Sequence, residues 1–297
     1  MKKILVPTDF SANANKALDF AVQIAKQAKA EIVLVHACNL VNTTFKDHLT
    51  IKREHNEAVL DNANKSLALL KTSIEEAEKI SVTVKIYEGN VTDSILLASE
   101  ETASDFIVIG TRGETDITER VFGSTTSNLL SKTKVPLMVV SPLSEWEMSA
   151  NPLMETTGEA AKFAPDAMLF ATNHFEKNME LLNPIVDVAK LFSSTIHVAV
   201  FVDTDFADAF DYVYNIKELN HYIEFLQKTF PDLVFKGEFL EGEDFESTVE
   251  KYTDKNGVDI IAMITYPKTF WDRLLKKKVT KEMAFHSKIP VMAVTAK

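Results

Sequence analysis

The chain has 297 residues, 46% hydrophobic and 25% charged, with a formal net charge of −11 from 43 acidic against 32 basic side chains. These are the proportions of a well-buried globular chain long enough for two ordinary domains. The acidic balance excludes a broad nucleic-acid or anionic-membrane surface, which works through clustered Lys and Arg, and the single cysteine excludes an internal disulfide or a multi-cysteine metal centre.

The opening Met1-Lys2-Lys3-Ile4-Leu5-Val6-Pro7 loses its apolar run at Pro7, short of the ~7–15 residues of a secretory core. No window reaches the ~18 consecutive apolar residues of a membrane span, so a cytoplasmic protein without a membrane partner is expected. Residues 3–6 read as a first strand, and Ala12–Ala28 as a helix with apolar residues at helical spacing and Ser11 as its N-cap. Residues 31–36 read as a second strand, with Cys38 a small buried residue near its end. A long helix is predicted over 45–79. It places His48 and His55 two turns apart, but no third ligand is near and no metal site follows. A third strand (82–87), a helix (92–103), a fourth strand (105–109), a helix (124–131) and a fifth strand (136–140) complete the first half. Most of these strands are continuously apolar, as parallel strands covered on both faces are, and the βαβα order gives an open, doubly wound sheet.

The second half repeats the first. Ile4-Leu5-Val6-Pro7-Thr8-Asp9 aligns with Met168-Leu169-Phe170-Ala171-Thr172-Asn173 at an offset of 164, without a gap through the next helix. Asp105-Phe106-Ile107-Val108-Ile109 aligns with Asp259-Ile260-Ile261-Ala262-Met263 at an offset of 154, and Val135-Pro136-Leu137 with Ile289-Pro290-Val291 in the same register. A period this long means two domains, not a solenoid of short repeats. The expected division is a first domain over 1–142, a linker over 143–164 and a second domain over 165–297. The linker carries Trp146, Leu153, Met154 and Phe163, so part of it is expected to pack.

Three of eight glycines fall after the fourth strand, in Ile109-Gly110-Thr111-Arg112-Gly113, nine further residues, then Gly123-Ser124-Thr125-Thr126. Gly110 and Gly113 let backbone approach a ligand without a Cβ in the way. Gly123, Ser124 and Thr125 open a helix whose free N–H groups and dipole favour phosphate. Simpler uses exist: Asp9 as a helix cap, the glycines as turns, the hydroxyl run as an ordinary helix start.

This Gly-x-x-Gly, nine residues, Gly-Ser pattern resembles the universal stress protein family in its nucleotide-binding branch, as do Val6-Pro7-Thr8-Asp9, Leu34-Val35-His36-Ala37 and the Glu88-Gly89 turn. The resemblance covers residues 3–140; the second half shares the strands only. It implies two tandem α/β domains, each a doubly wound open parallel sheet of five strands in the order 3-2-1-4-5. The first and fourth strands then lie side by side at a topological switch point. It implies further that Asp9 and the Ala37 region border adenine and ribose, with Pro7, Thr8 and Ile109 beside them and Gly110 against the ribose. Gly113, Gly123, Ser124 and Thr125 would cradle the phosphates of ATP, ADP or AMP, with Mg beside them and Asp9 its one candidate protein ligand. Arg112 either adds charge there or is a solvated loop residue.

In the second half Gly110, Gly113, Gly123 and Ser124 become Ile264, Pro267, Lys277 and Lys278, and Asp9 becomes Asn173. The branched Ile264 and the donor-less Pro267 leave no phosphate cradle, and Lys276-Lys277-Lys278 reads as a solvated face. Family members pair through their last strands, so an intrachain pseudo-dimer is expected, with a further homodimer open. The implied function is an ATP-binding stress-response regulator or sensor that loads only its first domain and acts on an unidentified protein partner. The alternatives are a slow ATPase or phosphotransferase using the same pocket, and a nucleotide-free interaction module. No general base other than Asp9 and no Walker-type lysine stands by the loop, which argues against a dedicated enzyme.

Overall fold

The computed structural model describes residues 1–40, 49–111, 124–142, 165–266 and 287–296. The described residues form two compact units that part between Val135 and Pro136.

The first unit runs β1 (Lys3–Pro7), α1 (Ala12–Ala28), β2 (Glu31–Cys38), α2 (Leu49–Glu78), β3 (Val82–Glu88), α3 (Val91–Thr102), β4 (Phe106–Gly110) and α4 (Ser124–Lys132). Its strands lie in the order β3-β2-β1-β4, all parallel. Ile4, Leu5 and Val6 of the central β1 are fully buried, as both-face coverage requires. Ser11 caps α1 by accepting the Ala14 amide at 3.1 Å, and Asn90 caps α3 by accepting that of Asp93 at 3.2 Å.

The second unit runs β5 (Leu137–Val140), β6 (Ala167–Ala171), α5 (Met179–Phe192), β7 (Thr195–Asp203), α6 (Ala209–Thr229), β8 (Phe235–Gly242), α7 (Phe245–Asn256), β9 (Ile260–Thr265) and β10 (Val291–Thr295). Its order is β5-β10-β9-β6-β7-β8, and only β5 runs antiparallel. The residues predicted as the fifth strand of the first half are thus counted with the second unit, where Val139 lies opposite Val291. β5 is wholly buried there, and the pairing covers a backbone edge that β10 would otherwise expose.

Both sequence offsets recur as strand register. Ile4 lies opposite Phe106 and Met168 opposite Ile260, while Lys3 pairs with Glu31 and Ala167 with Thr195. The recurrence extends to single hydrogen bonds. Asp105 Oδ2 accepts the amides of Lys2 and Lys3, and Asp259 Oδ2 those of Asp166 and Ala167. Among the described residues no helix is long and apolar enough to cross a membrane.

Candidate functional site

The carboxyl ends of β1 and β4 are neighbours, because β4 pairs with β1 on the side away from β2. That reversal of strand order opens a crevice in any doubly wound sheet. Pro7 ends β1, and Thr8 prolongs the ladder by donating its amide to Val35 O at 2.8 Å. The chain then turns sharply. Thr8 Oγ1 accepts the Phe10 amide and Asp9 Oδ1 accepts the Ser11 amide, each at 3.0 Å, the side-chain turns that Thr and Asp form readily. Phe10 takes φ 65°, a left-handed conformation that costs a non-glycine residue about 1–3 kcal/mol. Its ring leans on His36, centroids 4.7 Å apart. His36 Nδ1 lies 2.8 Å from Thr8 O. A carbonyl only accepts, so Nδ1 is the donor in this bond. Asp9 remains exposed at the mouth, with Ala37 half-buried on β2.

Gly110 is the last residue of β4, and what excludes a side chain there is protein. A Cβ would stand 2.6 Å from Asn13 Nδ2 and 2.9 Å from Asn13 O in the first turn of α1. The glycine therefore lets β4 close against α1, which also keeps the start of α1 beside the switch point. Gly110 O in turn accepts the buried Thr126 hydroxyl at 3.1 Å. This bond ties the amino end of α4 to the end of β4, with half-buried Thr125 one residue nearer the helix start. Thr111 Oγ1 is buried with no hydrogen-bond partner among the described residues.

Of the predicted site residues, Pro7, Thr8, Asp9, Ala37, Ile109, Gly110 and Thr125 belong to the elements that meet at this mouth. Arg112, Gly113 and Gly123 lie outside the described residues; of Ser124 only its place as the first residue of α4 is described. Sequence reasoning missed Asn13, His36 and Thr126 as positioning residues. Asn13 and Thr126 each sit two residues beyond a helix-opening serine, where a polar side chain can still reach off the helix; for the His36 contact there was no local signal.

The same place in the second unit is built differently. Asn173 bridges to β7 by donating to Phe201 O at 3.1 Å and accepting the Phe201 amide at 3.2 Å. Phe201 stands where the first half has Ala37, and Tyr266 where it has Arg112. Tyr266 OH donates to Glu176 Oε2 at 2.6 Å, while Glu176 Oε1 accepts the Lys177 and Asn178 amides at 2.8 and 2.7 Å. Burial would raise the Glu176 pKa, but the tyrosine hydroxyl and the two amides outweigh it and hold the carboxylate below its ordinary value. The His174 ring packs edge-on against Tyr266 at 4.9 Å. Protein groups thus span from the end of β9 to the start of α5.

A doubly wound parallel α/β protein, with a glycine-ended strand and a tethered helix start meeting at the switch point, is the class these features define. The model of the Universal stress protein family matches residues 1–141. A universal stress protein of Methanocaldococcus jannaschii is 31% identical over 153 residues, 47% of this chain and 94% of that protein. One from Bacillus subtilis is 29% identical over 144 residues, 46% of this chain and 97% of its own length. A solved universal stress protein from Archaeoglobus fulgidus shares 18% identity and a TM-score of 0.65, over 99% of this chain and 98% of that one; at this identity the likeness speaks for the fold. The chain belongs to the universal stress protein family.

Proposed function

We propose that the protein is a stress-response regulator or sensor whose first unit holds an adenine nucleotide at the mouth of β1 and β4, with the base and ribose between Asp9 and Ala37. The phosphates lie toward Gly113, Gly123, Ser124 and Thr125, where the free amides of α4 favour anions. The observation that carries this reading is the Thr126–Gly110 hydrogen bond, which holds the start of α4 at the switch point. A magnesium ion beside the phosphates takes its charge balance mainly from them, with Asp9 the carboxylate at hand. In the same reading the second unit takes no nucleotide. What supports this is Glu176 and Phe201, which put larger side chains where the first half has Ala12 and Ala37, and the bond from Tyr266 that holds Glu176 in place.

The test is the thermal midpoint of the full chain with and without ATP and Mg²⁺. Ligand at a hundredfold excess over its Kd adds ~2.7 kcal/mol to the unit that binds it. The expected result is a rise of the first transition that Gly123→Val abolishes. Equal rises in both proteins, or none in either, would sink the assignment. Turnover above ~1 s⁻¹ would move the reading to an enzyme using the same pocket.

A further inference from the structure

The second unit carries an apolar helix face that its fold does not require. Phe206, Phe210, Val213 and Tyr214 are 85, 75, 68 and 51% exposed. The last three share one side of α6 by their spacing, and the rings of Phe210 and Tyr214 stack with centroids 6.3 Å apart. Single exposed apolar residues are ordinary, but a contiguous group marks an interaction site.

The first unit supplies an internal control. Leu67, Leu70 and Ile74, buried on α2, correspond to Leu219, Tyr222 and Leu226, buried on α6, at a constant spacing of 152 residues. At that spacing Ala58, Asp61 and Asn62 stand where α6 has Phe210, Val213 and Tyr214, while Phe206 lies in the turn that precedes α6. The same helix in the same architecture is served there by polar and small residues. Packing therefore does not explain the aromatic set.

Charge selects the occupant. No Lys or Arg occurs from residue 191 to 216, a stretch holding Asp203, Asp205, Asp208 and Asp211. Asp203 pairs with Gly242 at the end of β8, which brings Glu241 and Glu243 to the same edge. We propose that this face docks a Lys- or Arg-rich amphipathic helix of a partner protein, its apolar side on Phe206, Phe210, Val213 and Tyr214 and its cations against the aspartates. A second copy would set two acidic rims together in a chain of net charge −11, and an anionic membrane would be repelled likewise. The surface lies wholly in the second unit and does not depend on the nucleotide reading.

The experiment titrates the full chain with a fluorescent helical peptide of about 18 residues, five turns, with leucines on one face and lysines on the other. A Leu/Glu counterpart and a Lys/Ser peptide of equal charge serve as controls. Anisotropy should show binding of the Leu/Lys peptide alone. Affinity should fall at least ~10-fold in the variant carrying Phe210→Ser and Tyr214→Ser, as for loss of an interface anchor. It should weaken in Asp205→Asn with Glu243→Gln, and in ~0.3 M salt, where exposed charges are screened. Both double changes lie on the exposed surface, and circular dichroism checks that the variants fold. Equal binding of the Lys/Ser or Leu/Glu peptide, or unchanged affinity in the serine variant, would overturn the proposal. So would sedimentation as a dimer that the serine variant dissolves, which would assign the face to a second copy.

Discussion

Asp19 sits on α1 with only 7% of its surface exposed, and its Oδ2 has no hydrogen-bond partner among the described residues. Burial, reinforced by the charge of Glu78, pushes its pKa up to about 7. Glu78 itself is drawn to Lys26 at 2.5 Å, so that lysine is already engaged by another carboxylate. In the unfolded chain Asp19 titrates near 3.9. Because the folded value lies above the unfolded one, the protonated carboxyl favours folding. That contribution is complete below pH ~4 and is lost as the pH rises through about 7. A difference of about three pH units at 1.36 kcal/mol each amounts to about 4 kcal/mol. Asp19→Asn keeps the shape and removes the charge. Relative to the parent, the variant should therefore gain about 4 kcal/mol between pH 4 and pH 8, close to the full linkage term. Urea unfolding of both proteins across that range, followed by circular dichroism, measures the gain. A stability difference between the two that does not change with pH would mean instead that Asp19 ionises in the fold as it does in water.

Three further outcomes follow from the site geometry. Gly110→Ala places a methyl group against Asn13 backbone and should cost about 1–3 kcal/mol by overpacking, read from urea denaturation. Thr126→Val removes the hydroxyl that Gly110 O accepts. It should cost about 0.5–1.5 kcal/mol and weaken ATP binding in a calorimetric titration, because α4 loses its tether. In the second unit, Tyr266→Phe removes the donor to the Glu176 carboxylate. The expected loss is about 1.5–3 kcal/mol for a charged acceptor in the unfolding of that unit, with no change in ATP affinity.

The sequence carried much of this architecture because the strands are short apolar runs and the register of β1 against β4 follows two constant offsets in the chain. Thr8, Asp9 and Ser11 could be placed from local chemistry alone, since the two turns and the cap they form reach at most three positions along the chain. What escaped depends on contacts between distant segments. The close approach of Asn13, nearly a hundred positions earlier, to the place a Cβ of Gly110 would occupy has no local sequence signal. Phe10 gave no hint of a left-handed backbone, because such positions are read from glycine or asparagine and here a ring contact to His36 accompanies the strain. The bond from Tyr266 to Glu176 spans 90 residues, so sequence could show only that the glycines were gone. Asp19 falls within a helical period and looks unremarkable until its burial is seen.

The proposed reading has one unit of this chain, and not the other, grip an adenine nucleotide. Native mass spectrometry of the intact chain with ATP and Mg²⁺ tests it most directly. The expected spectrum shows a single added nucleotide per chain, absent in Gly123→Val and retained in Tyr266→Phe. No added mass, two nucleotides per chain, or a Gly123→Val variant that still carries one would contradict it.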